Sequence, residues 1–577
     1  MKFYLSPGEL VRFFRFFAIS ALLFMFMSGE RLYAQNEPPP STDASVIQRK
    51  ITEEARKKLE KKPAQAQIEQ PVETKKPAAA TQKQFFITNI VIEGNQSIPS
   101  EELEKIVAPY EGREITMAEA NAAATLVQDE YRRRGYIITF VYLPPQEIDQ
   151  TLKLAVIEGK MGALIIEGNK WFSKKTISRY WYLDEGDVLQ YKDMIRSIQR
   201  MNENSDRRVK AVLKPGTEPG LTDVYVTVED HFPYHAGYQF DNQGVRSTGK
   251  RRHGFTLRSN NFIIPDSILY GGFAFGSDFG VVYGQYIIPL TSHGTKLITG
   301  FSHSQVSPKK EFESSDINAT SQTYSTSIRQ SLYQTERLTS TISAGFDVKD
   351  SRTKDITGVR RRDRLRILTS GLDVTYLDRW GGTSLTNLFS FGTKLFGASG
   401  QNNPLAGRAG AEPDFFKYEG NLVRGLALPY ETNAILKLSS QLSPDKLTPQ
   451  EELYLGGAHS VRGYPEGDYL ADQGFVLNVE YLTPFFFIPK EWQLPRSNQP
   501  LGKQIQFVFF FDAGYGRLRG PAVTETSERH LMGAGEGLRI QITKHLAARI
   551  ELAHVIGQEP LTDSDHHRIH FTIQTEI

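Results

Sequence analysis

The sequence predicts two small α+β modules followed by an all-β domain, His231 to Ile577, that closes into a transmembrane antiparallel β-barrel of sixteen strands. Three observations carry this reading. Apolar and polar residues alternate through many short segments of the last part of the chain. No run of eighteen or more apolar residues follows the N-terminal segment, and a short motif recurs at a fixed offset upstream of the alternating region. Successive side chains of a strand point to opposite faces, so alternation means one apolar and one polar face. The 577 residues include no cysteine, which excludes disulfides and thiolate metal sites. Mean hydropathy is −0.38, ordinary for a soluble protein, but a barrel hides its membrane character because only alternate residues face lipid.

Residues 1–34 read as a secretory signal peptide. Lys2, Arg12 and Arg15 supply charge, Phe16 to Met27 is the apolar core, and Ala34 precedes Gln35 as a cleavage position. The apolar stretch is short for a membrane anchor. Without it the formal charge falls from +2 to zero, which leaves no electrostatic case for nucleic-acid binding. Export together with a barrel points to a bacterial outer membrane, or to an organelle derived from one; in the bacterial case residues 35–230 are mostly periplasmic.

Residues 35–62 predict one amphipathic helix. Thr42 or Asp43 can cap it, Ile47, Ile51, Ala55 and Leu59 form a narrow apolar stripe, and Pro63 ends it. A largely charged helix on a leash suits a plug entering a wide aqueous lumen. A tail with transient helicity and a helix lying on the membrane surface are the alternatives. Residues 63–84, rich in Lys, Pro and Ala, cannot bury enough surface to offset chain entropy and read as a disordered or semi-extended linker.

The two modules span 85–159 and 160–230. Ile92-Glu93-Gly94-Asn95 returns as Ile166-Glu167-Gly168-Asn169, and Glu111-Gly112 returns as Glu185-Gly186, both at an offset of 74. Each copy reads strand, helix, helix, strand, strand. The first has strands Phe85–Ile92, Ile137–Val141 and Thr151–Ile157, with helices Ser100–Ala108 and Met117–Arg134. The second has strands Gly162–Ile166, Arg208–Leu213 and Asp223–Val228, with helices Lys174–Trp181 and Gln190–Asn202. Helices on one face leave an exposed sheet edge able to accept an extended peptide. No nucleophile–base pair, cofactor fingerprint or phosphate loop is present. His231 and His235 flank Pro233 without a third ligand, so no metal site is expected there.

The barrel strands are expected at Tyr234–Gln243, Arg252–Asn261, Ser267–Ser277, Phe279–Ile288, Thr295–Ser304, Gln322–Gln334, Leu338–Arg352 and Arg364–Leu377. Those that follow are Thr383–Phe396, Phe415–Pro429, Asn433–Leu442, Phe475–Thr483, Gln504–Tyr515, His530–Gln541, His545–Ile556 and Arg568–Ile577. A soluble sandwich also alternates, but its domain is shorter, and nothing here supplies a second sheet to cover the aromatic face. A closed barrel satisfies every backbone group in lipid.

With these residues in view, the chain resembles the outer-membrane transporters of two-partner secretion, of the haemolysin/haemagglutinin secretion and activation type. These belong to the superfamily that joins polypeptide-transport-associated domains to a barrel. Gly135 to Pro144 resembles the end of the first such domain and Leu213 to Val228 the end of the second. Val461-Arg462-Gly463-Tyr464, in the long sixth loop 443–474, is similar to the family's loop signature. Phe510-Phe511-Asp512-Ala513-Gly514 resembles the companion signature on strand thirteen. The resemblance implies that the loop folds into the lumen and that Arg462 meets Asp512. Alternation places Phe507, Phe509 and Phe511 toward lipid, hence Phe510, Asp512 and Gly514 toward the lumen, where a carboxylate is affordable. Asn478 and Glu480 point into the lumen as further support.

The expected function is export of an unfolded partner, a large secreted adhesin, haemolysin or similar protein. The periplasmic modules would bind it as an extended segment, and no nucleotide would be used. The alternative function is assembly or insertion of proteins or lipids in the outer membrane. Outer-membrane lipid is the other expected partner, nucleic acid is not expected, and the chain is expected to function as a monomer. An enzyme would need the late cluster Asp563, Asp565, His566, His567 and His570, which reads better as a polar extracellular turn. A diffusion porin has no need of the modules.

Overall fold

The computed structural model describes residues 40–59, 67–69 and 84–577, except 219, 487, 490, 494–499 and 524. The predicted signal peptide lies outside the described residues, as does most of the linker. The chain divides into two compact units, one holding the N-terminal helix with the barrel and the other holding the modules.

In the barrel unit sixteen strands close on themselves. They are β1 Tyr234–Asp241, β2 Arg252–Ser259, β3 Ile268–Phe275, β4 Phe279–Pro289, β5 Thr295–Val306, β6 Asn318–Gln334, β7 Leu338–Asp355 and β8 Gly358–Asp378. The rest are β9 Gly381–Gly392, β10 Phe416–Ala427, β11 Asn433–Leu442, β12 Gln473–Pro484, β13 Ile505–Arg517, β14 Glu528–Gln541, β15 Leu546–Val555 and β16 His567–Glu576. Closure comes from antiparallel pairing of Gly237–Asp241 on β1 with Thr572–Glu576 on β16. Alternation sorts the faces as expected. On β13 Phe509 is 51% exposed and Phe511 40%, whereas Phe510 and Asp512 are buried. Phe273, Phe301, Tyr324 and Leu368 are exposed in the same way on other strands. This outward apolar surface matches a membrane-facing wall.

Several strand boundaries depart from expectation, among them the starts of β6 at Asn318 and β14 at Glu528 and the end of β7 at Asp355. The strand expected at Thr383–Phe396 stops at Gly392; Phe396 turns into the left-handed region at φ 52° and leaves the ladder. The strand expected from Arg364 instead starts at Gly358, because Gly358, Val359, Arg361, Arg362 and Asp363 continue the ladder with β7 down to Asp355.

Around the barrel's sixth loop, Leu453–Leu455 pairs with Tyr469–Ala471 to form a small ribbon. The N-terminal helix runs from Ala44 to Leu59. Asp43 rather than Thr42 caps it, its carboxylate accepting from the Ser45 amide at 2.8 Å. Ala44, Ile47 and Ile51 pack with Phe279, Val281, Val306 and Ala319, which belong to β4, β5 and β6.

The first module holds a three-stranded sheet in the order Asn89–Glu93, Thr151–Glu158, Thr139–Tyr142. Helices Ser100–Val107 and Met117–Arg133 cover it around Leu103, Val107, Val127, Leu152 and Leu154. The single strand expected at Phe85–Ile92 is broken at Thr88, whose amide turns to the Gln150 carbonyl at 2.7 Å. Its first half, Gln84–Ile87, pairs instead with Arg113–Thr116. The second module repeats the sheet with Lys160–Glu167, Leu221–Asp230 and Arg207–Pro215, and its helices are Lys174–Ser178 and Tyr191–Met201.

The repeated motif does the same work in both copies. Asn95 donates to the Ile98 carbonyl at 2.9 Å and Asn169 to that of Phe172 at 2.8 Å. Gly94 and Gly168 both have positive φ, 93° and 86°. A β-carbon on either would lie within 2.5 Å of a carbonyl oxygen, of Val156 or of Val228. The linker expectation needs one correction. Gln67–Glu69 forms a strand parallel to Arg207–Pro215 and occupies that edge of the second module's sheet, with Ile68 against the module's core.

Candidate functional site

The site forms where the sixth loop folds against the lumenal wall. Arg462 is 2% exposed. Its guanidinium forks onto Asp512, Nε donating to Oδ2 at 2.7 Å and Nη2 to Oδ1 at 2.8 Å. The Arg462 amide adds a third bond to Asp512 at 3.0 Å. Nη1 reaches Glu480 at 2.9 Å and Glu551 at 3.2 Å, and the guanidinium carbon sits 3.6 Å from the centroid of the Phe510 ring. A planar fork fits a carboxylate in two parallel bonds, which lysine cannot reproduce. Asn478 fastens the loop as well as the strand, donating to the Ser460 carbonyl at 2.6 Å and to Asp512 at 2.8 Å.

The small residues permit this approach. Gly463 has φ +97°, and a β-carbon there would lie 3.1 Å from the His554 backbone. At Gly514 the added carbon would lie 2.8 Å from Val461 Cγ2. Val461 is fully buried among Leu455, Val476 and Leu531, and Tyr464 donates to the Gln558 carbonyl at 2.7 Å. The structure thus brings Val461, Arg462, Gly463, Tyr464, Phe510, Asp512, Gly514, Asn478 and Glu480 into one cluster.

Sequence reading missed part of this cluster. Glu551 on β15 is a third carboxylate on Arg462, and it is fully buried. Arg549 holds it at 2.6 and 2.5 Å, while Arg539 on β14 pairs with Glu480 at 2.8 Å. Three guanidinium groups therefore face three carboxylates, which is the balance a buried charge cluster requires. A signal for them existed. Ile550 and Leu552 face outward, so Arg549 and Glu551 must face the lumen by strand period.

A second set of bonds ties the loop to the wall and to the helix. Glu451 accepts from Lys349 at 2.6 Å and Lys417 at 2.7 Å. Asp472 and Glu452 both receive Arg408 at 2.8 Å. On the helix, Arg49 donates to the carbonyls of Gln450 at 2.8 Å and Glu452 at 2.5 Å. Lys50 pairs with Glu466 of the loop at 2.5 Å, and Glu54 with Arg252 of β2 at 3.1 Å. Helix, loop and wall are thus interlocked by charge, with only a narrow apolar contact between helix and strands.

The late cluster does not converge. His567 lies on β16 and faces His554 of β15, His566 pairs with Glu559 at 2.6 Å, and Arg568 pairs with Asp563. Among the described residues no group of three or more His, Asp or Glu is arranged to hold a metal ion. No described helix is long and apolar enough to cross a membrane.

Residues 220–540 match the haemolysin secretion/activation protein family ShlB/FhaC/HecB, over more than half of the chain. The chain belongs to this family. Residues 85–159 match the family's own type of periplasmic POTRA (polypeptide-transport-associated) domain. Outer membrane transporter CdiB of Escherichia coli O6:K15:H31 is 23% identical over 424 residues, 70% of each chain. Heme/hemopexin transporter protein HuxB of Haemophilus influenzae is 21% identical over 573 residues, 95% of this chain and 96% of that one.

Among solved structures, CdiB from Escherichia coli aligns with a TM-score of 0.72 at 20% identity, covering 92% of this chain and 98% of that chain. BamA from Haemophilus ducreyi aligns at 0.51 and 14%, covering 85% and 100%. At these identities the structures show a shared fold. Membership in the family, with its barrel and POTRA region, makes the protein an outer-membrane transporter whose modules lie in the periplasm.

Proposed function

We propose that the protein exports an unfolded partner protein from the periplasm to the cell surface or medium, and that its N-terminal helix blocks the barrel at rest. The observation that carries this reading is the interlock of helix, sixth loop and lumenal wall, built from ion pairs that water and an incoming polar chain can replace. The partner would be a large secreted protein bound as an extended segment by the POTRA modules. Of the edges expected to accept it, the one beside Arg207–Pro215 is already taken by Gln67–Glu69. Thr139–Tyr142 of the first module is an edge strand that exposes Phe140 and Tyr142 and is the better place for strand addition. The cluster around Arg462 and Asp512 acts as the lock that keeps the loop docked. Directional movement needs no nucleotide, because strand pairing in the periplasm and folding outside both favour export.

A second reading, assembly or insertion of other outer-membrane proteins, is supported by the likeness in fold to BamA. Deletion of the gene in its own host separates the two. Export predicts loss of one large surface or medium protein, its accumulation in the periplasm, and an unchanged set of other outer-membrane barrels. A general fall in those barrels, with no secreted protein lost, would overturn export in favour of assembly.

A further inference from the structure

We propose that the outward face of β7 and β8 above the membrane is a binding surface for the phosphates of the outer-leaflet glycolipid. β1 begins at the periplasmic modules, so the turn between β7 and β8, Ile356–Thr357, opens to the outside. These two strands run through 18 and 21 residues, the longest of the barrel. Their outward side chains change character abruptly along their length. Ile342 on β7 and Tyr376, Leu372 and Leu368 on β8 are exposed and apolar, and Phe346 stands opposite Leu368. The next outward positions of β8 are Arg366, Arg364 and Arg362, with exposed Arg360 beyond them. From Leu368 to Arg362 the chain runs about 20 Å along a strand tilted by about 40°, a climb of about 15 Å. The arginines therefore fall in the layer just outside the hydrocarbon.

The register makes this arrangement costly for a bare sheet. Arg352 stands directly opposite Arg362 across the ladder, and like charges so placed weaken strand pairing. Carboxylates account for only part of the charge. Asp350 pairs with Arg366 at 2.7 Å and Asp355 with Arg360 at 3.2 Å. Among the described residues Arg352, Lys354, Arg362 and Arg364 have no ion-pair partner, although Arg352, Lys354 and Arg362 are exposed. Four positive charges on one outward patch call for an anion from outside the chain.

A neighbouring apolar contact selects a lipid as that anion. The fifth loop folds back so that Phe396, 76% exposed, rests edge-on against outward Phe346 at a ring distance of 5.8 Å. Leu395 beside it is 61% exposed, and the Phe396 carbonyl accepts from Arg366 Nε at 3.1 Å. Arginine forks above and bare hydrophobes below match a phosphorylated headgroup carried on acyl chains. Free inorganic phosphate would use the guanidinium groups and leave Phe396 and Leu395 in water.

The test uses the full-length protein in detergent micelles, titrated with diphosphoryl lipid A, with its dephosphorylated form and with inorganic phosphate. The variants are Arg352→Gln/Arg362→Gln/Arg364→Gln together and Phe396→Ser, each first shown to be an assembled barrel by heat-modifiable mobility. The expected result is at least tenfold weaker binding of diphosphoryl lipid A by the triple variant, similarly weak binding of the dephosphorylated lipid by the unaltered protein, and weaker lipid binding by Phe396→Ser. If the triple substitution prevents assembly, Arg362→Gln alone is expected to lower affinity in the same direction. Equal binding of the phosphorylated and dephosphorylated lipids would overturn the proposal, as would undiminished binding by an assembled triple or Arg362→Gln variant. Inorganic phosphate displacing the lipid at equal concentration would also overturn it, by showing a phosphate site indifferent to acyl chains.

Discussion

Replacing Arg462 by alanine removes one guanidinium that bonds three buried carboxylates, Asp512, Glu480 and Glu551. The cluster then holds three negative groups against Arg539 and Arg549. Removing one partner of a buried pair costs about 3–5 kcal/mol, because the other is left buried and uncompensated. The barrel does not depend on this residue for closure, since the ladder of β12 to β15 is made by backbone pairing. The cost therefore falls on the docked loop. At 1.4 kcal/mol per factor of ten, the docked fraction drops by roughly two to three and a half powers of ten relative to the undocked. The assay is proteolysis from the outside on whole cells, read at loop 443–474, with heat-modifiable mobility reporting that the barrel is assembled. Cleavage within the loop is expected to rise by at least tenfold in Arg462→Ala. Arg462→Lys should fall between, keeping the charge while losing the fork. An assembled Arg462→Ala barrel whose loop stays as protected as before would refute the reasoning.

Three further outcomes follow from particular contacts. Lys50→Glu places a carboxylate against Glu466, now 2.5 Å from the lysine ammonium; helix and loop should separate, seen as a gain in channel conductance that Glu466→Lys partly reverses. Gly533→Val would put a side chain where an added β-carbon already lies 2.0 Å from the Arg462 carbonyl; loop protection should fall as in Arg462→Ala, with Arg462 itself intact.

In the first module Glu158 is buried, which by itself would raise its pKa. The Ser97 hydroxyl, the amides of Ser97 and Gln96 and the Tyr131 hydroxyl all donate to it at 2.6–2.8 Å and hold it below the ordinary glutamate value. A group with a depressed folded pKa contributes its full stability above its unfolded value, near 4.3, and loses it as pH falls through the folded value. Hydrogen-exchange protection of residues 89–158, corrected for intrinsic rates, should therefore drop below about pH 4, and Glu158→Gln should flatten that dependence.

The barrel was legible because strand period is local: Ile505 to Tyr515 declares both of its faces without reference to any other segment. The repeated Gly94 and Gly168 were equally plain, since a backbone that excludes a β-carbon leaves its mark in the residue type. Arg462 and Asp512 were found through a family resemblance, and the lumenal side of Asp512 through its phenylalanine neighbours. What stayed hidden depends on docking of distant segments. Nothing in the sequence near Glu451 names Lys349 or Lys417 as its partners, and nothing near Arg49 points to the Gln450 carbonyl. The Gln67–Glu69 strand was missed for a related reason: three residues in a polar run carry no period, and only the waiting edge of Arg207–Pro215 gives them one. The run Arg360 to Arg364 is charged at every position and shows no apolar–polar alternation, so only its pairing with β7 extends β8 back to Gly358.

The account turns on a closed secretion pore, and single-channel conductance in planar bilayers tests it most directly. The chain from Gln35 onward is compared with a variant lacking residues 35–62, each with its barrel shown to be assembled. The account predicts a small or intermittent conductance for the first and a large, steady pore for the second. Equal conductance in the two would contradict a resting block by the helix and would raise the standing of the assembly reading.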